Sequence, residues 1–113
     1  MVSSNQKEKA ELFLKYHHDK EILVLLNSWD IGSSKLIEAS GYKAIATTSM
    51  GVAASLGYPD CQAITLSEII QITTGIVNAV HVPVSVDIEA GYGNDLNEII
   101  ESVKKIIDRK SVV

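Results

Sequence analysis

The sequence predicts an α/β fold in which helices cover a parallel sheet, and three observations lead there. Helical and extended patterns alternate about three times, the extended runs are apolar on both faces, and two helical stretches open on the same cap signature. A strand with no polar face needs cover on both sides, and crossover helices between parallel strands supply it.

Each element has its own justification. Residues 6 to 18 carry Ala10, Leu12, Phe13 and Tyr16 among charges, the pattern of an amphipathic helix ahead of the first strand. "EILVLLNSWD" predicts a strand at about residues 22 to 26, too apolar to leave one face wet. Asp30 is placed to cap a helix over about 31 to 40, which bears Leu36 and Ile37 and ends at Gly41. "KAIATTS" supplies the second strand. After a small-residue segment, Thr65 stands three residues before Glu68, a capping-box spacing, and Leu66, Ile69, Ile70, Thr73, Val77 and Val80 follow on one helical face. Pro83 introduces the third strand. Asp95 and Glu98 repeat the cap signature ahead of Leu96, Ile99, Ile100, Val103, Ile106 and Ile107, and a fourth strand is expected to begin at "SVV". Spacing alone does not separate an open doubly wound sheet from part of a barrel. With no internal repeat or linker, residues 1 to 113 read as a single α/β unit.

Composition narrows the function classes. A formal charge of -4 and a sequence pI near 5.2 provide no basic stripe for a polyanion, so nucleic acid is not an expected partner. The opening "MVSSNQKEKAELFLKYHHDK" lacks an apolar core of signal-peptide length, and no run approaches the roughly 18 apolar residues of a membrane span. A cytoplasmic location away from membranes is the default expectation. The single cysteine, Cys61, cannot form an internal disulfide, in keeping with a reducing compartment.

The chemistry-bearing stretch is "VSVDIEAGYGN", residues 84 to 94. Strand alternation would place Asp87 and Glu89 on one face and Val86 and Ile88 on the other, with both acids at the strand's C-terminal end. Sites in α/β folds are built at that end, and Gly91-Tyr92-Gly93 would let backbone pass close to a bound group. Two hard carboxylate donors with room for water suit Mg²⁺, or Mn²⁺ in its place. A dinucleotide fingerprint would need a third glycine where the chain has Leu96, and no phosphate-loop lysine pattern occurs. His17, His18 and His81 are read as structural or surface residues. A second cluster, "TTSMGVAASLGYPD", offers the hydroxyls of Thr47, Thr48 and Ser49 and the amides around Met50 and Gly51 as donors to a carboxylate. On local pattern alone it reads equally as a tight turn with packing positions.

Together, "NSWDIGSSKLIEASGYKAIATTSMGVAASLGYPD" and "PVSVDIEAGYGN" resemble the isocitrate lyase and phosphoenolpyruvate mutase superfamily, in particular its mutase-like branch, from roughly residue 6 to residue 108. The resemblance implies the N-terminal portion, about three to four βα units, of a (β/α)8 TIM barrel. It also implies Mg²⁺ and the making or breaking of C–C or P–C bonds next to a 2-oxo carboxylate, through an enolate or enol-type intermediate. The implied substrate is a small 2-oxo carboxylate or phosphonate, and the complete relative is implied to be a homo-oligomer. By the same resemblance Asp87 and Glu89 hold the metal directly or through its waters, Thr48, Ser49 and Met50 cradle the substrate carboxylate, and Asp60 is the catalytic acid on a gating segment.

The chain departs from the pattern in places. Ser49 and Met50 stand where many relatives carry glycine in the cradle, Cys61 takes a position often held by glycine, and the lyase "KKCGH"-type loop is absent. A full barrel needs about 250 residues against the 113 of this sequence. The expectation is therefore an N-terminal part of a mutase or lyase-like enzyme. The alternative is a catalytically inactive chain that binds a metal-carboxylate ligand weakly or serves as an assembly partner.

Overall fold

The computed structural model describes residues 4–61 and 63–108. Helix α1 (Ser4–His17) leads into strand β1 (Leu26–Ser28), followed by α2 (Ile31–Ala39), β2 (Ile45–Thr47), α3 (Ser49–Ser55), α4 (Leu66–Ala79), β3 (Val84–Ser85) and α5 (Leu96–Asp108). The three strands form one parallel sheet in the order β1-β2-β3, with Leu26 opposite Ile45 and Ile45 opposite Val84. Parallel pairing sends every strand's C-terminus to the same edge, so the segments after Ser28, Thr47 and Ser85 meet there.

The helix ends are set by the side chains expected to set them. Asp30 accepts from the Ser33 amide at 2.7 Å, while the Ser33 hydroxyl receives the Asp30 amide at 3.2 Å. Thr65 and Glu68 close a reciprocal box on α4. Asp95 accepts from the Glu98 amide at 2.9 Å, but Glu98 reaches back to the Asn94 amide.

The core lies between the sheet and its helices: Ile37 of α2, Ile76 and Val77 of α4, and Ile45, Val80, Val84 and Val86 pack together. A second cluster joins Val52 and Ala53 of α3 to Ile64 and Ile69. Glu38 Oε1 receives the amides of His81 at 2.6 Å and Val82 at 3.2 Å, tying α2 to the lead into β3. Gln6 Nε2 donates to the Ile107 carbonyl at 2.6 Å, so the first helix meets the last.

Four sequence expectations need correction. The first strand lies at Leu26–Ser28, not at about 22 to 26, because the ladder to β2 starts at Leu26. No strand among the described residues pairs with the outer side of β1, so Ile22 is 89% exposed and Val24 is exposed as well. The small-residue segment is a helix, α3, capped by Thr48. Leu36 faces solvent, and Ile37 alone of that pair reaches the core. The alternation drawn through Asp87 and Glu89 stops short, since β3 ends at Ser85 and Glu89 is left-handed at φ 51°. The expected fourth strand at "SVV" lies outside the described residues.

Candidate active site

Thr47, the last residue of β2, is 4% exposed, and its Oγ1 receives the Asp87 amide at 2.9 Å. That bond continues the β2–β3 pairing one step past the ladder and fixes where the Asp87 side chain starts. Asp87 Oδ1 then accepts the Glu89 amide at 2.9 Å, and Oδ2 accepts the Ser49 amide at 3.4 Å. Burial by itself would raise the Asp87 pKa, but the hydrogen bonds from Glu89 and Ser49 outweigh it and hold the carboxyl below its ordinary value. Asp87 is thus an ionised acceptor at neutral pH.

The bond from the Glu89 amide turns the chain. Glu89 and Tyr92 are both left-handed, at φ 51° and 56°, with Gly91 at 89° between them, and the Gly91 amide closes the turn on the Ile88 carbonyl at 2.8 Å. Non-glycine residues in this region each cost of order 1 kcal/mol and persist only where their surroundings hold them. Here Asp87 holds Glu89, while the Ser102 hydroxyl of α5 donates to the Tyr92 carbonyl at 3.2 Å. The Tyr92 ring packs on the Val52–Ile69 cluster. Burial, then the charges of Glu89 and Asp87, push its phenol up to about 12.

Glu89 Oε2 is buried and has no hydrogen-bond partner. None of the ion pairs among the described residues includes Asp87 or Glu89. A buried carboxylate oxygen without a donor is costly unless a cation or ligand group completes it. The donor set fits Mg²⁺, which takes one or two carboxylates and retains several waters. Among the described residues no group of three His, Cys, Asp or Glu side chains is placed to hold a metal, so the two acids stand as a pair.

Of the expected cradle residues, Ser49 is brought directly to Asp87. Thr48 is the N-cap of α3, its Oγ1 receiving the Gly51 amide at 3.3 Å. Met50 sits in the first turn of α3, whose amides the helix itself cannot pair, and its side chain is exposed. Thr47, grouped with these hydroxyls by sequence, is instead a buried support for Asp87. Asp60 is not joined to the acids: it is exposed on the link between α3 and α4, and its Oδ1 accepts the Cys61 amide at 2.8 Å. Sequence reasoning missed Ser102 and the pairing of Tyr58 with Glu68; the Thr65–Glu68 spacing flagged Glu68 only as a cap.

The family model described as phosphoenolpyruvate phosphomutase matches residues 13–112. An uncharacterized protein of Mycobacterium tuberculosis is 36% identical over 94 residues, 83% of this chain and 36% of that protein. The 2-methylisocitrate lyase of Bacillus subtilis is 34% identical over 94 residues, 83% of this chain and 31% of the lyase. The chain therefore spans about a third of the length of these curated relatives. Among solved structures, a Burkholderia cenocepacia protein assigned as a lyase/mutase superposes with a TM-score of 0.90 at 32% identity, over 97% of this chain and 39% of that one. A phosphoenolpyruvate phosphomutase of Streptomyces platensis superposes at 0.84 with 24% identity, over 90% and 35% of the two chains, and supports the fold alone. These neighbours are TIM barrels, so the three-stranded sheet corresponds to part of such a barrel. No helix among the described residues is long and apolar enough to cross a membrane.

Proposed function

The chain belongs to the phosphoenolpyruvate phosphomutase family, and from that premise we propose that it carries the metal- and carboxylate-binding side of a site for a small 2-oxo carboxylate or phosphonate. Curated relatives with assigned activities include 2-methylisocitrate lyases and a 2,3-dimethylmalate lyase. The finer reading is a Mg²⁺-dependent lyase or phosphonomutase that makes or breaks a C–C or P–C bond next to the 2-oxo carboxylate, through an enolate or enol-type intermediate. The observation that carries this reading is the buried, unpartnered Oε2 of Glu89 beside an ionised Asp87.

Each residue then has a task. Asp87 and Glu89 hold the cation, directly or through its waters; when bound, Mg²⁺ supplies positive charge that stabilises negative charge developing on the 2-oxo oxygen. Thr47 fixes the Asp87 backbone, and the hydrogen bonds from Glu89 and Ser49 keep its carboxylate ionised. The Thr48 hydroxyl, Ser49 and the Met50 amide orient the substrate carboxylate in the first turn of α3. Asp60, on the link between α3 and α4, is the acid that handles a proton. A cytoplasmic location and, for the complete assembly, a homo-oligomeric state belong to the same proposal.

Calorimetry with oxalate and with ATP, each with and without Mg²⁺, tests the reading. Oxalate binding that requires Mg²⁺ is expected, with no ATP signal. Tight ATP binding with no oxalate signal would overturn it. Binding without turnover is the second reading, favoured by the lack, among the described residues, of a third His, Cys, Asp or Glu grouped with the two acids to hold a metal. It would show as oxalate affinity in a chain inert toward 2-oxo acid adducts.

A further inference from the structure

The link between α3 and α4 is held at a point outside the acid pair. The Tyr58 hydroxyl donates to Glu68 Oε1 at 2.8 Å. Glu68 Oε2 accepts from the amide and the hydroxyl of Thr65, both at 2.8 Å. One carboxylate therefore closes the N-terminus of α4 and grips the tip of the Tyr58 side chain. At the other end of the same residue, the Tyr58 amide donates to the Ala53 carbonyl at 2.9 Å, just after Gly57 turns the chain at φ 77°. Tyr58 is thus fixed both at its backbone and at its ring tip.

Asp60 follows two residues later with Pro59 between. The proline ring fixes its own φ, and it restricts the residue before it to extended conformations, so little torsional freedom separates Tyr58 from Asp60. Beyond Asp60 the chain turns at Cys61, left-handed at φ 70°, with the Cys61 amide on Asp60 Oδ1. Residues 58 to 61 are all exposed, so packing does not hold this stretch.

We infer that Tyr58 and Glu68 are positioning residues for Asp60: their hydrogen bond fixes Tyr58, Pro59 transmits that placement, and Asp60 is presented at one point instead of sampling the loop. The inference deepens the carboxylate-site reading, on which the role of Asp60 rests.

The test combines amide exchange with calorimetry on the unaltered chain, Tyr58→Phe, Glu68→Gln, Asp60→Asn and the Tyr58→Phe/Asp60→Asn double variant, using Mg²⁺ with oxalate as the probe. Tyr58→Phe removes one hydroxyl and should raise exchange at the Cys61 amide by about three- to tenfold while amides within α4 keep their protection. Glu68→Gln retains a carbonyl acceptor for Tyr58 and should give a smaller rise. Oxalate binding should weaken severalfold in Tyr58→Phe, yet Tyr58→Phe should add nothing in the Asp60→Asn background. Unchanged Cys61 exchange in Tyr58→Phe would overturn the tether. Equal weakening with and without Asp60 would overturn the positioning role. An unaltered chain that binds no oxalate would overturn the carboxylate-site reading and the ligand role of Asp60 with it, a result separable from failure of the tether because exchange is read without ligand.

Discussion

The Ser49 amide and Asp87 Oδ2 meet at 3.4 Å across 38 residues of sequence, so the start of α3 and the acid beyond β3 are held as one unit. Metal-dependent binding should follow Asp87 first. Asp87→Asn is expected to lower the oxalate affinity measured with Mg²⁺ by more than about tenfold, and Glu89→Gln by less, since changes around a metal typically cost 10- to 100-fold. Parent-like affinity in Asp87→Asn would remove the assignment.

Glu89→Gln should have an opposite effect on the ligand-free chain. Its Oε2 is buried without a partner, and exchanging the carboxylate for a neutral amide relieves the cost of an uncompensated charge. Thermal unfolding in the presence of a chelator should show Glu89→Gln at least as stable as the parent. A clearly lower Tm would mean that the carboxylate already has a stabilising partner.

Glu38 gives the fold an acid-side dependence. Burial would raise its pKa, but the amides of His81 and Val82, and then the His81 ring, bring it below the ordinary value. A depressed folded-state pKa contributes stability that is present above the unfolded value, near 4.3, and lost as pH falls through the folded value. Glu38→Gln should cost about 1–2 kcal/mol at pH 7 in urea unfolding. It should also flatten the decline in stability below about pH 4.5. An unchanged acid limb would show that other carboxylates govern it.

Gly93 is the glycine with least room. A Cβ there would lie 2.6 Å from the Ile99 amide nitrogen and 2.9 Å from the Glu98 carbonyl carbon, backbone atoms that yield only if α5 shifts. Gly93→Ala is expected to destabilise by about 3 kcal/mol, at the upper end of the usual overpacking cost. At Gly57 an added methyl would meet nothing within 4 Å beyond its chain neighbours, so Gly57→Ala should cost only the left-handed strain of about 1 kcal/mol. Denaturant midpoints in the reverse order would contradict this geometry.

Self-association is expected of the purified chain. β1 and β3 are both sheet edges among the described residues, and Ile22, Val24, Leu96 and Ile100 are exposed near the start of β1 and along α5. Edges beside apolar surface invite pairing with other chains. Light scattering should report species larger than a monomer, reduced by Ile22→Lys with Leu96→Lys. A monodisperse monomer would count against it.

Local chemistry made much of this fold legible. Asp30 and Thr65 with Glu68 cap where their spacing says they should, because capping needs only near neighbours. The seven residues of α3 are too few and too small to show a period, so the helix went unseen. The position of β1 follows from its register against β2, which is a long-range choice. At the site, the two acids and Ser49 were evident as residue types, whereas the turn at Glu89 was not. Alternation assumes a continuing ladder, and here Asp87 captures the Glu89 amide in its place. The Tyr58 contact was hidden for a similar reason, since Glu68 already had a full local role.

The bond from Gln6 to Ile107 spans 101 residues and bears on how the chain is made. During synthesis α1 leaves the ribosome well before the Ile107 carbonyl that receives its Gln6 amide. Until then α1 lacks this bond and has only nearer contacts such as that of Lys9 Nζ with the Val80 carbonyl at 3.5 Å; contacts of such long separation form slowly because loop closure comes before any reward. On ribosomes stalled at increasing lengths, protection of α1 from protease should arise only once residue 107 has cleared the exit tunnel, and protection at shorter lengths would show that α1 docks without that bond.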